Sequence, residues 1–353
     1  MNEWTEKEEK LLEEYWPDKD FDFIQSVLPK RTASAIRTKA RDMRLKKIPK
    51  VFPKKDSDII KTGKELFEEA IKNCERNLAR AEINNEIKIE FPISDYPDGM
   101  ILVCLSDFHL GSKFTEYRKL YEDLETLKRC DCAFGLMLGD IIDNFQPSGK
   151  HKGGQNDALY PLPEQKKMAQ FVFKNYGQHF LAIILGCHDD WSFQSDGFDM
   201  AEYFEQDING AYLGYGGNII LKVGNIEYKI HARHTYRFQS PLNLTNSIKR
   251  MHREHGPFDI GIVAHRHTPD YELTKLQDHD VLCILNGSYK PQDRYSLKLG
   301  FKKSNIKSFA IYLDPREKKM LPFPSLKEAE IYLKGLRQNG KENDKDIQVL
   351  KHL

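Results

Sequence analysis

The stretch Phe180–Asp190, FLAIILGCHDD, decides the fold, because an apolar segment runs directly into a cysteine, a histidine and two carboxylates. Four further stretches have the same form, an apolar run as long as a buried strand that ends in metal-binding residue types. One such ending is usually a capped turn or a hydrogen-bonded core histidine, but five in succession favour one shared site. In chain order the runs are MILVCLSDFH (100–109), CAFGLMLGDIIDN (132–144), FLAIILGCHDD (180–190), NIEYKIHARHT (225–235) and FDIGIVAHRHT (258–268).

Two helical patterns lie between the first three runs. They are EYRKLYEDLETLKR (116–129) and EQKKMAQFVFKNYG (164–177). Strand and helix therefore alternate, which is typical of an α/β fold. Open α/β sheets build their sites at the carboxyl ends of their strands, so we expect the polar endings of the runs to converge there.

The overall charge says little about partners, since 54 basic residues oppose 53 acidic ones. Any attraction to nucleic acid must come from local clusters of charge. No apolar run approaches the roughly 20 residues that span a bilayer, so we predict no membrane partner. Scattered cysteines in apolar runs suit reduced thiols, and we expect a cytoplasmic protein. The oligomeric state is not indicated.

Residues 1–50 are predicted to form a small unit of three helices, because apolar residues recur at helical spacing. Thr32 or Ser34 is expected to cap the third helix. These apolar residues are Trp4, Leu11, Leu12, Tyr15, Phe23, Val27, Ala35, Ile36, Ala40 and Met43.

The third helix carries a basic stripe, Arg37, Arg41 and Arg44, with Lys39 beside it. Between positions 30 and 55 the basic residues are opposed only by Asp42. The stretches WTEKEEKLLEEYW (4–16) and LPKRTASAIRTKARDMRLKK (28–47) resemble the Myb/SANT-type helix-turn-helix. The resemblance implies that the third helix enters the major groove and that its basic side chains contact DNA. A protein-binding module with a solvated basic face is the alternative.

The remaining boundaries follow composition. We predict a helical linker over 51–98, which ends at FPISDYPDG (91–99), where prolines and a glycine mark a boundary. The α/β domain is expected over 99–320, and a helix with a polar tail over 321–353.

The order DFH, GDIIDN, GCHD, a later histidine and AHRH resembles the calcineurin-like metallophosphoesterases. Their motifs are D-x-H, G-D-x-x-D, G-N-H-D/E, H and G-H-x-H, and the resemblance covers roughly residues 100–315. It implies an α/β/β/α sandwich that holds two divalent metal ions and hydrolyses phosphoesters. The segment RHTYRFQSPLNLT (233–245) further resembles phosphoesterases of bacteriophages and their bacterial hosts, which implies a bacterial or phage-infected cell.

The same resemblance implies the roles of individual residues. Asp140 bridges the two metals, and His188 orients the phosphate and protonates the leaving oxygen. Asp189 either holds the tautomer of His188 or caps the following helix. Mixed imidazole and carboxylate ligands suit Mn, Fe or Zn. The implied ligands of one metal are Asp107, His109 and His267, and those of the other are His265, the isolated histidine and the residue of the third motif.

Two of these positions are ambiguous in the sequence. The stretch HARHTY offers both His231 and His234, which a spacing of three places on opposite faces of a strand, and we predict that His234 is the ligand. Cys187 stands where the motif has Asn. A thiolate there either binds and favours Zn or Fe, or stays protonated and weakens the second metal, or marks a relic site. Because every other ligand type is present, we predict an active enzyme with Cys187 among its ligands.

The function predicted from these features is hydrolysis of phosphodiester bonds in nucleic acid, with DNA as the preferred substrate of a nuclease. A basic helical reader joined to a phosphodiester-cleaving centre concentrates one ligand for both. One alternative is a small-molecule phosphatase or cyclic-nucleotide phosphodiesterase, since a fold does not determine a substrate. Another is a DNA-binding protein whose phosphoesterase domain is catalytically silent.

Overall fold

The computed structural model describes residues 4–16, 19, 21–43, 45, 63–81, 86–146, 152–300 and 302–351. The chain forms two compact units, Met1–Arg80 and Ala81–Leu353. In the described part no helix is both long and apolar enough to cross a membrane.

The first unit contains the three predicted helices, which enclose a small apolar core made of Leu12, Ile24, Leu28, Ile36 and Ala40. Thr32 caps the third helix by accepting a hydrogen bond from the backbone N–H of Ala35. A longer helix follows within the predicted linker. The four helices are α1 (Glu6–Tyr15), α2 (Phe21–Val27), α3 (Ala33–Asp42) and α4 (Gly63–Ala81).

Glu8 ties the start of α1 to the loop before α3. Its carboxylate accepts a hydrogen bond from the backbone N–H of Thr5, and it pairs with the Arg31 guanidinium at 2.7 Å. The hydrogen bond from Arg31 is the main cause that lowers the pKa of Glu8 to about 2. The short helices are therefore joined by a charged contact as well as by their apolar core.

The second unit contains two six-stranded sheets. The first sheet has the order β12-β11-β2-β3-β4-β5 and the second β1-β6-β7-β8-β10-β9. The strands are β1 (Glu86–Phe91), β2 (Met100–Leu105), β3 (Ala133–Met137), β4 (Phe180–Ile183), β5 (Ala211–Tyr212), β6 (Gly216–Val223), β7 (Ile226–Arg233), β8 (Ile260–Val263), β9 (Asp270–Leu276), β10 (His279–Leu285), β11 (Ala310–Leu313) and β12 (Met320–Phe323).

Helices cover the outer faces of both sheets. The first sheet is covered by α5 (Tyr117–Arg129), α6 (Leu162–Tyr176), α8 (Met200–Phe204) and α11 (Leu326–Lys351), and the second by α9 (Asn246–His255). Two further helices are α7 (Cys187–Asp196) and α10 (Arg294–Lys298). Both predicted helical patterns between the apolar runs, α5 and α6, are confirmed.

Alternation along β2 shows how the layers are built. Leu102 and Cys104 face the core between the two sheets, whereas Val103 and Leu105 face the core under α5, α6 and α11. Side chains of α9 pack on the opposite face of the second sheet. The arrangement is an α/β/β/α sandwich, as the fold-class prediction states.

All five apolar runs form strands, and their directions agree. In the first sheet β2, β3 and β4 are parallel, and in the second β7 and β8 are parallel. Parallel neighbours end at the same edge of a sheet, so the residues that follow each strand come together.

The predicted linker 51–98 is wrong for its last part. Residues Glu86–Phe91 form β1, which pairs in parallel with β6 from Glu86↔Asn218 to Phe91↔Val223. One face of this edge strand packs on the core through Ile87, Ile89 and Phe91, while Glu and Lys alternate on the other. At the other end β12 crosses the predicted boundary at 320 and pairs with β11. Linker residues 51–62 and 82–85 lie outside the described residues.

Candidate metal centre

The candidate ligands lie in sharp turns at the strand ends. Asp107, His109, Asp140, His265 and His267 all have positive φ, between 45° and 70°. Side chains other than Gly adopt this left-handed region at a cost in energy, and such residues cluster at functional sites. These turns direct side chains that follow different strands toward one place.

A first group contains Asp107, His109 and His267. Nε2 of His267 lies 3.0 Å from Oδ1 of Asp107 and 3.2 Å from Nε2 of His109. One potential ligand atom from each residue falls within 4.8 Å of the others. Two nitrogen donors and one oxygen donor thus converge, which is the arrangement of ligands around a metal cation.

A second group contains Cys187, His234 and His265, again with ligand atoms within 4.8 Å of one another. Nε2 of His234 lies 3.3 Å from Nδ1 of His265. Asp140 stands between the two groups, because its Oδ2 is 3.3 Å from Nε2 of His234 and 3.7 Å from Nε2 of His109. One carboxylate oxygen therefore faces a histidine of each group.

Backbone carbonyls set the tautomers of two of these histidines. Nδ1 of His234 lies 2.7 Å from the carbonyl of Leu138, and Nδ1 of His267 lies 3.1 Å from that of Lys290. A ring nitrogen that faces a carbonyl carries the hydrogen, so in the neutral ring Nε2 presents a lone pair. These lone pairs point at carboxylate oxygens, and Oδ1 of Asp107 is buried without a hydrogen-bond partner. Electron pairs that converge in this way fit divalent cations.

The charges of the donors agree with that fit. Although burial opposes ionisation, His267 lowers the pKa of Asp107 to about 2, and His234 holds the pKa of Asp140 well below its usual value. Burial likewise opposes ionisation of Cys187, but hydrogen bonding to His234 and His265 lowers the pKa of its thiol. Despite its burial, Asp140 raises the pKa of His234, and hydrogen bonding to Cys187 raises the pKa of His265. The site therefore gathers anionic oxygen and sulfur around protons that a divalent cation would displace.

His188 lies next to these groups. Its Nδ1 is 2.6 Å from the carbonyl of Asp143, which sets the tautomer of the ring.

Asp189 contacts backbone groups and does not contact His188 through its carboxylate. It accepts hydrogen bonds from the backbone N–H groups of Ile141 and Gly186 at 2.9 and 3.1 Å. The prediction that Asp189 holds the tautomer of His188 is thus corrected in favour of the capping alternative. The reason is that α7 begins at Cys187, which puts Asp189 at the third helical position, where a carboxylate reaches back to the cap.

The structure brings His234 to the cluster and leaves His231 outside it. Nδ1 of His231 lies 2.7 Å from Oδ1 of Asn218, and its ring stacks on His255 of α9 at 4.8 Å. His231 thus faces the outer helix, whereas His234 follows the end of β7 and turns toward Asp140.

Sequence reasoning missed two residues that support the first group. Asp143 lies 3.1 Å from Nδ1 of His109 and accepts a hydrogen bond from Nζ of Lys290 at 2.8 Å. The side chain of Lys290 is only 2% exposed, and its carbonyl faces His267. Asp143 is the second carboxylate of GDIIDN, so a signal for it existed. Lys290 follows β10 with no periodicity or spacing that marks it.

The predicted DNA-binding residues lie in the first unit. Arg37 and Arg41 of α3 are exposed, and the Arg37 guanidinium lies 4.2 Å over the Phe21 ring. Lys39 is paired with Glu9 at 2.5 Å, so its charge is partly neutralised within the unit. Arg44 lies outside the described residues.

No family model and no curated protein matches the sequence. Several solved structures are similar to this chain. Vps29 from Entamoeba histolytica complexed with Zn²⁺ is 12% identical, and the match covers 64% of this chain and 98% of Vps29 with a TM-score of 0.34. A predicted phosphoesterase from Streptococcus pneumoniae is 14% identical, with coverage of 64% of this chain and 89% of that one and a TM-score of 0.32. A metallophosphoesterase from Sphaerobacter thermophilus is 13% identical, with coverage of 61% and 84% and a TM-score of 0.30. Similarity of this degree does not indicate a function.

Replacement of Cys187 by Asn tests whether its sulfur is a ligand. Titration of the protein with Co²⁺ is expected to produce a thiolate-to-cobalt charge-transfer band, since a coordinated thiol is deprotonated. Cys187→Asn should abolish this band and retain cobalt binding, because Asn still offers an oxygen. The control is Cys283→Ser, which removes a buried thiol on β10 outside the cluster. A band of unchanged intensity in Cys187→Asn would rule out ligation by this sulfur.

Replacement of Lys290 by Met tests the buried pair with Asp143. Loss of one partner leaves a buried charge uncompensated, and we expect the free energy of unfolding to fall by about 3–5 kcal/mol. Urea unfolding in the presence of chelator measures it without the contribution of bound metal. The double variant Lys290→Met/Asp143→Asn should recover most of the loss. A single variant as stable as the parent would show that the pair does not stabilise the fold.

Proposed function

We propose that the chain is a metal-dependent phosphodiesterase, and that it acts as a nuclease on DNA. The observation that carries the proposal is the position of Asp140, whose Oδ2 faces His234 of one candidate ligand group and His109 of the other. Two divalent cations about 3.5–4 Å apart, when bound, supply Lewis acidity to the phosphoryl group and lower the pKa of a water molecule.

Each of the two ligand groups would hold one of these cations. Asp107, His109 and His267 would hold one and Cys187, His234 and His265 the other, with Asp140 shared. Carboxylates supply the negative charge and histidines the geometry, since carbonyls fix two of the rings. Imidazole with carboxylate suits Mn, Fe or Zn, and the thiol of Cys187 favours Zn or Fe at the second position.

His188 is the proposed proton-transfer residue. Its Nδ1 is held by the carbonyl of Asp143, so Nε2 is the atom that can exchange a proton with substrate. Burial lowers the pKa of His188 to about 3, so the ring is neutral at neutral pH. The negative charge of a bound phosphodiester favours protonation of Nε2, and the protonated ring can donate to the leaving oxygen.

The preference for nucleic acid is supported by the first unit. Arg37 and Arg41 are exposed on one helix, within a stretch whose basic residues are opposed only by Asp42. Such a cluster neutralises backbone phosphates and releases counterions. A unit that holds DNA raises its concentration near a second unit that cleaves it.

Activity assays of purified full-length protein test the proposal. The substrates are bis(p-nitrophenyl) phosphate and labelled duplex and single-stranded DNA, each with Mn²⁺, Zn²⁺, Fe²⁺, Mg²⁺ or chelator. We expect metal-dependent DNA cleavage that falls about 100-fold or more in Asp140→Asn, because the shared ligand is lost. The matched control is Asp280→Asn, an exposed residue of β10. Cleavage of the chromogenic ester alone would favour a small-molecule phosphodiesterase, and no cleavage with any metal would favour a catalytically silent DNA-binding protein.

The role of the first unit has its own test. Arg37→Ala combined with Arg41→Ala should weaken duplex DNA binding and reduce the dependence of log K on log salt by about 2, one for each lost phosphate contact. Fluorescence anisotropy at several salt concentrations measures both. The control replaces Arg118 and Arg316, two exposed arginines of the second unit. An unchanged slope in the α3 variant would assign DNA binding to other residues.

A further inference from the structure

An open cavity of about 450 Å³ is lined by residues on either side of His234 in the chain, and none of its lining residues belongs to the candidate ligand groups. Its lining comes from both chain neighbours of His234 and from the segment that follows. The lining residues are Arg233, Thr235, Tyr236, Arg237, Phe238 and Gln239. We call it the arginine cavity.

Arg233 is the residue of this cavity whose surroundings indicate a bound anion. It follows Ala232, which packs between the sheets, so its side chain leaves the opposite face of β7. Its Nε is buried without a hydrogen-bond partner, and among the described residues the guanidinium has a ring contact, with Tyr236 at 5.8 Å, but no ion pair. A guanidinium that is partly buried and unpaired is costly, and a bound anion would offset that cost.

The neighbouring strand makes room for this arginine. Gly216 of β6 lies opposite Arg233, and a Cβ at Gly216 would fall 2.6 Å from Cγ of Arg233. Any other residue at 216 would push the arginine stem away from the strand. The unpaired guanidinium is therefore accommodated by the fold at the cavity wall.

Phe238 supplies an aromatic surface in the same cavity. Its backbone is left-handed, with φ 64°, and Asn246 donates a hydrogen bond to its carbonyl at 2.8 Å. A bulky residue in this conformation is strained, which is a feature of ligand-binding turns. The residue is 45% exposed, so part of its side chain is accessible to a ligand.

Two further arginines approach this ring. The guanidinium of Arg250 is 4.4 Å and that of Arg237 is 5.0 Å from the ring centroid of Phe238. Glu254 pairs with Arg237 at 2.8 Å and neutralises it, whereas Arg250 has no such partner among the described residues. Positive charge thus comes from Arg233 in the cavity wall and from Arg250, which contacts the lining residue Phe238.

A nucleotide matches this combination, because its phosphate pairs with a guanidinium and its base stacks on an aromatic ring. We propose that the arginine cavity binds the nucleotide next to the phosphodiester that is cleaved. This proposal rests on the proposed function, and it names the part of the substrate that the cavity recognises.

The position of the cavity suits an adjacent nucleotide. Arg233 and Thr235 flank His234, and consecutive Cα atoms are about 3.8 Å apart. Nε2 of His234 points to Asp140, whereas the Arg233 side chain lies on the opposite face of the strand. A ligand in the cavity therefore leaves the donors of the metal groups in place, while the two chain neighbours of the donor His234 form part of its binding wall.

Direct binding tests the proposal without catalysis. The probe is a labelled single-stranded oligonucleotide of about four nucleotides, titrated by anisotropy into the full-length protein in chelator. Arg233→Met removes the charge, and Phe238→Asn removes the ring with a residue that tolerates positive φ. Each variant should bind about tenfold more weakly, the size expected for one lost stacking or charged contact. The control Arg118→Met, an exposed arginine of α5, should bind within about twofold of the parent.

A kinetic comparison separates substrate recognition from damage to His234. The ratio of kcat/KM for the oligonucleotide to that for bis(p-nitrophenyl) phosphate should fall about tenfold in both variants, because the chromogenic ester carries no nucleotide. An unchanged ratio with both activities reduced would mean that Arg233 only supports His234, and it would overturn the proposal. Parent-like oligonucleotide binding in both variants would overturn it as well.

Competition identifies the source of the nucleotide. Thymidine monophosphate that displaces the oligonucleotide at a similar concentration supports a free nucleotide as the occupant, and displacement only by longer strands supports nucleic acid. If the parent hydrolyses neither ester with any metal, the proposed function fails, whereas the anisotropy of the variants still decides whether the cavity binds nucleotides.

Discussion

The structure depends on the orientation of two histidine rings by backbone carbonyls. The carbonyl of Leu138 lies against Nδ1 of His234, and that of Lys290 against Nδ1 of His267, so both Nε2 atoms face the interior. There they lie close to the buried carboxylates of Asp140 and Asp107. Despite burial, Asp140 raises the pKa of His234 well above its usual value, and a divalent cation would displace the proton that this pair holds.

The sandwich brings these groups together because its parallel strands end at one edge and the turns after them can pack backbone against backbone. Gly139 and Gly186 permit the closest approach. A Cβ on Gly186 would fall 2.0 Å from the backbone nitrogen of Asp140, and one on Gly139 would fall 2.5 Å from the Cα of Gly186. Glycine at both positions lets the turn with Asp140 lie directly on the turn with Cys187.

Much of this could be predicted from the sequence, since apolar runs that end in ligand types reveal both strands and site. The spacing of three indicated that only one of His231 and His234 faces the site, and the position of His234 at the end of the strand favoured it. Other features depended on tertiary contacts. Lys290 matters through a buried pair with a residue far away in sequence. Strand β1 was missed although Ile87, Ile89 and Phe91 alternate with Glu and Lys, which is the pattern of a half-buried strand. The role of Asp189 depended on where α7 begins, and element boundaries are poorly determined by sequence.

Anomalous diffraction from crystals grown with Mn²⁺ or Zn²⁺ shows whether two cations share Asp140. We expect two anomalous peaks about 3.5–4 Å apart, one against Asp107, His109 and His267 and one against Cys187, His234 and His265. The carboxylate of Asp140 should contact both. A single peak, or peaks away from these residues, in protein that binds the metal in solution would mean that Asp140 does not join two metal sites.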